Sequence, residues 1–113
     1  MKLRELAHSR AGDKGNTANI SVIAFRNEDY GHLERCLTAQ RVKAHFGAIV
    51  KGDVLRYALP NIGALNFVLQ EALDGGVSRS LRLDPHGKSL SSLILDMDIP
   101  APRRRGGAKG NIR

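Results

Sequence analysis

The feature that most limits the fold is a run of twelve residues, His8-Ser9-Arg10-Ala11-Gly12-Asp13-Lys14-Gly15-Asn16-Thr17-Ala18-Asn19, without one large apolar side chain. The apolar Ile20-Ser21-Val22-Ile23-Ala24-Phe25 follows at once. A segment this polar cannot supply core, so residues 8–19 read as a loop between two strands. Glycine reaches positive φ and lets backbone approach a ligand, while Arg, Lys and amides suit carboxylate or phosphate. The loop is therefore expected to hold an anion through Arg10, Gly12, Asp13, Lys14, Gly15 and Asn16. The competing reading is a plain turn in which Asp13 and Asn16 bond local backbone and Lys14 is solvated. The stretch matches neither the Walker loop nor the dinucleotide fingerprint, and no cofactor is expected.

The chain of 113 residues fits one domain with a modest core. Its net charge of +7 resembles a nucleic-acid signal until it is located. Residues 102–113 hold five cations and no acid, leaving thirteen cations against eleven acids in the body. The domain, residues 1–101, is nearly balanced; the basicity belongs to a Gly/Arg-rich tail, expected to be mobile unless a partner holds it. One cysteine, Cys36, excludes an intrachain disulfide and a thiolate zinc cluster. No apolar run nears the ~20 residues of a membrane span, and residues 1–6 lack a signal-peptide core. A cytoplasmic location is expected.

Further along, residues 3–8 read as a first strand. The run 19–25 is apolar on both faces, which marks an interior strand. Asn27-Glu28-Asp29 starts a helix and Thr38 a second one, with Gly47 stopping or kinking it. Residues 54–59 form a strand in which Leu55, Tyr57 and Leu59 share a face. Ile62, Leu65, Leu69 and Leu73 then make an apolar helical stripe closed by Gly75-Gly76. Residues 77–99 read as a hairpin turning at Asp84-Pro85-His86-Gly87-Lys88. The order ββαβαββ predicts an α+β, ferredoxin-like antiparallel sheet with two helical segments on one face.

Asn66 interrupts the apolar helix stripe; it either bonds nearby backbone or points, with Asn61, into a pocket beside the loop. Arg79 breaks an apolar face set by Val77 and Leu81, so it turns into a pocket or interface, or pairs with Asp13 or Asp96. The four histidines have no metal-ligand spacing, and no metal is expected. They read as solvated or structural, with His8 the one weak candidate for an acid or base. Cys36 has no assignable His partner and reads as packing.

The strings Ala7-His8-Ser9-Arg10-Ala11-Gly12-Asp13-Lys14-Gly15-Asn16, Val42-Lys43-Ala44-His45-Phe46, Leu59-Pro60-Asn61-Ile62-Gly63-Ala64-Leu65-Asn66-Phe67 and Gly75-Gly76-Val77-Ser78-Arg79-Ser80-Leu81-Arg82-Leu83-Asp84 resemble the C-terminal domain of the acyclic terpene utilisation protein A (AtuA) family, as does Gly87-Lys88-Ser89-Leu90. The likeness runs to about residue 100 and leaves out the tail. It implies a ferredoxin-like fold and a link to catabolism of terpenoid or branched acyl-CoA compounds. Fused family members carry a much larger domain before this one, so the resemblance implies a free-standing version with a separate large-subunit partner. It supplies no catalytic residues. The expected function is an accessory subunit of an acyl-CoA or carboxylate system, forming a homo-oligomer or joining that subunit, with Arg10, Lys14, Asn16 and Arg79 on the anion and Asn66 shaping the pocket. No nucleophile–base pair can be read, so an activity of its own is left open. The alternatives are a nucleic-acid-binding module, for which the strands offer little to stack on bases, and a purely structural oligomerisation domain.

Overall fold

Alternation in the apolar run produces a central strand. β2 (Thr17–Ala24) buries Ala18, Ile20 and Val22 on one face and sets Asn19, Ser21 and Ile23 on the other. The structure, a computed structural model, describes residues 1–14, 17–72 and 90–102, with the backbone alone at Asp13 and Lys14. β1 (Ala7–Lys14) pairs antiparallel with β2, from Ala7 opposite Ala24 to Lys14 opposite Thr17. On the other side of β2 lies β4 (Ala64–Leu69), and β3 (Val54–Leu59) pairs with β4. The sheet order is β1-β2-β4-β3, antiparallel throughout.

Among the described residues three helices cover one face. α1 (Asn27–Cys36) carries Glu28 and Asp29 in its first turn, where carboxylates meet the partial positive charge of the helix start. α2 (Ala39–Phe46) is capped by Thr38, whose hydroxyl accepts the Arg41 N–H at 3.1 Å. It ends at Gly47, which takes φ 57°. The short α3 (Leu90–Ile94) sits against β1, and the Ser9 hydroxyl donates to the Ser91 carbonyl at 2.6 Å. Leu33, Leu37, Val42, Phe46, Leu90 and Ile94 from the helical layer meet Ile20, Val22, Leu65, Phe67 and Leu69 from the sheet in one core. Arg56, on β3, reaches up to α1 and donates through Nη1 to the carbonyls of Glu34 (2.5 Å) and Leu37 (3.1 Å), satisfying carbonyls that the helix end leaves open.

The two ends of the domain clasp. The Leu3 N–H donates to the Met97 carbonyl, the Arg4 N–H to that of Leu95 and the Ile99 N–H to that of Met1. Arg4 pairs with Asp96, and Lys2 with Asp98 at 3.2 Å.

The expected α+β class holds, as do the interior β2, the helix starts near Asn27 and Thr38, the stop at Gly47 and the strand at 54–59. Four expectations fail. Residues 3–5 are a 3-10 turn and the first strand begins at Ala7. Residues 8–19 are mostly not a loop: β1 runs through residue 14 and β2 starts at 17. An edge strand needs few apolar residues, because only one of its flanks is paired and its far end extends past the core. The helix expected from Ile62 onward is β4. Leu65 and Leu69 fit a helical stripe, but with Phe67 they also fit a two-residue repeat, and a slot between β2 and β3 selects the second. The return strand expected at 90–99 is α3 followed by the clasp. The described order is accordingly ββααββα. The glycine pair 75–76, the turn at 84–88 and the tail 103–113 lie outside the described residues. No helix among the described residues is long and apolar enough to cross a membrane.

Candidate functional site

Among the described residues no element covers the face of the sheet away from the helices, and the pairing register sets its side chains in rows. One row runs Arg10, Ser21, Asn66, Tyr57 across all four strands. Within it the Ser21 hydroxyl donates to the Asn66 Oδ1 at 3.2 Å. Arg10 and Tyr57 are exposed, while Ser21 and Asn66 are half-buried. The row on one side is His8, Ile23, Ala64, Leu59; on the other it is Gly12, Asn19, Val68, Leu55.

This face is unusually apolar for one that no described element covers. Among the described residues, the exposed large hydrophobic side chains include Phe25 (58%), Tyr57 (51%), Leu59 (41%), Leu55 (38%) and Ile62 (64%), all on this face or at its rim. Phe25 lies just past β2 and stacks on the His8 ring, centroids 5.6 Å apart and planes 21° apart. Ile62 stands in the 3-10 turn Pro60–Ile62, brought beside the end of β2 by the Ala24 N–H donating to the Gly63 carbonyl at 3.0 Å. Gly63 takes φ 64°, a left-handed turn that returns the chain into β4. The result is a polar line led by one guanidinium, flanked on both sides by apolar surface.

The structure thus brings together Arg10, Gly12 and Asn66 of the sequence-predicted set, with His8 one row away. Asn66 owes its place to a strand rather than to the expected helix. Asp13 and Lys14 close β1 opposite Ala18 and Thr17. Gly15, Asn16 and Arg79 lie outside the described residues, and with them the pairing expected between Arg79 and an aspartate. Sequence reasoning missed Ser21, Phe25 and Tyr57 as members of this face. The alternation of Leu55, Tyr57 and Leu59 carried the signal, but the row that links Tyr57 to Asn66 and Arg10 exists only once β4 is placed.

Other polar groups serve the fold. His32 Nε2 donates to the Pro100 carbonyl and His45 Nε2 to the Leu93 carbonyl, each at 2.6 Å, tying α1 and α2 to the C-terminal segment. Cys36 does have a histidine beside it, contrary to expectation: its Sγ lies 3.4 Å from His32 Nε2, one helical turn back. The thiol is buried, consistent with packing. Tyr30 has a buried hydroxyl with no hydrogen-bond partner among the described residues. Burial pushes its pKa up, Glu34 adds to the rise and Arg56 opposes it. A shallow groove of about 620 Å³ between α2 and residues 97–100 is lined by Arg41, His45 and Asp98 among others, on the helical side. No cluster of three or more His, Cys, Asp or Glu that could hold a metal occurs among the described residues.

A family model described as the AtuA ferredoxin-like domain matches residues 1–100. No curated protein and no solved structure matches the chain.

Proposed function

Because the chain belongs to the AtuA ferredoxin-like domain family, we propose that it is an accessory domain of a system that handles acyl-CoA or related carboxylate metabolites, of terpenoid or branched type. Its open sheet face contributes the contact to an amphiphilic anion. The observation that supports this is the line Arg10–Ser21–Asn66–Tyr57 set in an otherwise apolar exposed surface. A guanidinium offers paired donors to a carboxylate or phosphate, and the hydroxyls and amide of the row add further hydrogen bonds. The flanking Phe25, Ile23, Leu55 and Leu59 suit an acyl chain. The anion site proposed at the 8–19 segment is thereby moved from a loop to the face of a strand, with Arg10 as its centre. A larger partner, of the kind that precedes this domain in fused relatives, would supply the chemistry.

Binding to the native state raises apparent stability. Thermal unfolding of the full chain is expected to shift upward with medium-chain acyl-CoA esters and with the matching free carboxylates, and Arg10→Ala is expected to abolish the shift while the circular dichroism stays native. An unchanged midpoint across that series, or an undiminished shift in Arg10→Ala, refutes the reading. A nucleic-acid role is less well supported. Arg10 is the one charged side chain described on the open face of the strands, and polyphosphate binding draws on several cations.

A further inference from the structure

We infer that the outer edge of β3 pairs antiparallel with β3 of a second copy, about a twofold axis perpendicular to the sheet, so that two sheets join edge to edge into one. The contact lies on the edge of the sheet rather than on its open face, and it does not depend on the ligand reading.

Backbone geometry defines the edge. The Ala24 N–H donates to the Gly63 carbonyl, and the Gln70 N–H donates to the Asp53 carbonyl at 2.9 Å. In an antiparallel ladder the bonding direction alternates with each residue. Both bonds therefore require Asn66 and Val68 of β4 to bond toward Tyr57 and Leu55 of β3. Val54, Arg56 and Ala58 turn their N–H and C=O groups outward, and among the described residues no strand pairs with them. Edges of this kind are ordinarily blunted by charge, proline or a bulge. β1, at the other edge, carries Arg10, Gly12, Asp13 and Lys14. β3 reads Val-Leu-Arg-Tyr-Ala-Leu, and its one charge is already held by the Glu34 and Leu37 carbonyls.

Register makes the edge complementary to itself. Outward residues must face outward residues, and an alignment centred on Arg56 sets guanidinium opposite guanidinium, which is destabilising. Centred on Tyr57, the pairing sets Tyr57 facing Tyr57, Leu55 facing Leu59 and Arg56 facing Ala58, the last two each twice. Every pair on the open-face side is then apolar or aromatic, and Arg56 and Ala58 exchange their backbone bonds. A shift toward either end sets Tyr57 opposite Asp53, or brings Pro60, which has no N–H, opposite Arg56. The Tyr57-centred register also places Pro60 opposite Val54. There a groove of about 250 Å³ lies between β3 and α2, lined by Ala39, Lys43 and Leu55 among others. Pro60 heads the turn that leaves the strand, so each copy sets that turn at the other's groove, and the ladder ends at a residue without a donor. The row Arg10–Ser21–Asn66–Tyr57 continues across the axis into its own reverse.

One short strand and one groove per copy make a small contact beside the ~800 Å² per partner of a standard stable interface. The dimer is therefore expected to dissociate on dilution.

Sedimentation equilibrium of the full chain is expected to show a monomer–dimer equilibrium between micromolar and near-millimolar concentration. Tyr57→Asp, which sets like charges opposite each other across the axis, should weaken it at least tenfold, and Arg10→Ala should leave it unchanged. A chain that stays monomeric throughout, or one whose association is lost in Arg10→Ala, overturns the inference. The register is tested separately in a Cys36→Ala background. Tyr57→Cys protein should form an intermolecular disulfide on mild oxidation, because facing residues of this type of pair lie about 4.5 Å apart between Cα atoms, within disulfide reach. Leu55→Cys and Leu59→Cys proteins should cross-link when mixed and not alone, since like positions sit four residues, ~14 Å, apart along the strands. A disulfide of Leu55→Cys with itself, or none in Tyr57→Cys, refutes the proposed pairing.

Discussion

The two faces of one sheet are built from the same four strands and behave as different materials. On the helical side Ile20, Val22, Leu65, Phe67 and Leu69 are at most 1% exposed. One residue along each strand, the side chains are Ser21, Ile23, Asn66 and Val68, half-buried at most, with Arg10 and Tyr57 exposed. A core face earns its composition by burial. The open face has kept Phe25, Leu55, Tyr57, Leu59 and Ile62 without that return in the isolated domain. Apolar patches of this kind mark interaction sites. The contrast teaches that the stability of this domain and its recognition are written on alternate residues of the same segments.

That contrast can be broken by mutation. The largest effect is expected from Phe67→Ala, a fully buried position on β4, at about 3–5 kcal/mol in denaturant unfolding. Leu59→Ala on the open face is expected to stay within about 0.5 kcal/mol at concentrations where the chain is monomeric. Comparable losses for the two would erase the distinction between the faces. Next comes Arg56→Ala, which removes a charged donor from the Glu34 and Leu37 carbonyls and should cost about 1.5–3 kcal/mol. Arg56→Lys should recover only part, since an ammonium lacks the guanidinium fork.

Ser21→Ala removes the hydroxyl that donates to Asn66 and should cost about 1 kcal/mol. A loss much above that would mean the polar row is structural rather than available to a ligand. The smallest change is expected from Tyr30→Phe. Its buried hydroxyl has no partner among the described residues, so deleting it should leave stability unchanged or raise it by up to about 1 kcal/mol. The pH dependence sharpens the point. The folded pKa of Tyr30 lies above the ordinary tyrosine value of 10.0, so the native state disfavours the phenolate. Its contribution is intact below the unfolded pKa and is lost as pH rises through the folded one. The alkaline fall in stability should be shallower in Tyr30→Phe.

Local rules were enough wherever one segment decided its own state. Thr38 and Gly47 bracket α2 because a hydroxyl can cap and a glycine can turn left-handed. Residues 54–59, with Leu55, Tyr57 and Leu59 at a two-residue repeat, read as a strand and form one. Local rules failed where two periods fit the same letters. Leu65 and Leu69, four apart, satisfy a helix, and with Phe67 they satisfy a strand. The polar stretch failed for a related reason: pattern reading equates strand with apolar content, and β1, an edge strand, owes its conformation to hydrogen bonds with β2. Of the candidate site, Arg10, Gly12 and Asn66 were legible as residue types. Their common row was not, nor was the part played by Tyr57 and Phe25.

The sequence by itself determined an α+β domain of balanced charge, a central apolar strand, two helix starts and a polar segment carrying Arg10. Tertiary structure alone decided that β4 enters between β2 and β3, and so which residues share a face. The reason is physical: side-chain alternation is a property of one strand, whereas the row joining Arg10 to Tyr57 depends on the register of three pairings, one of them, β2 with β4, between segments far apart in the chain.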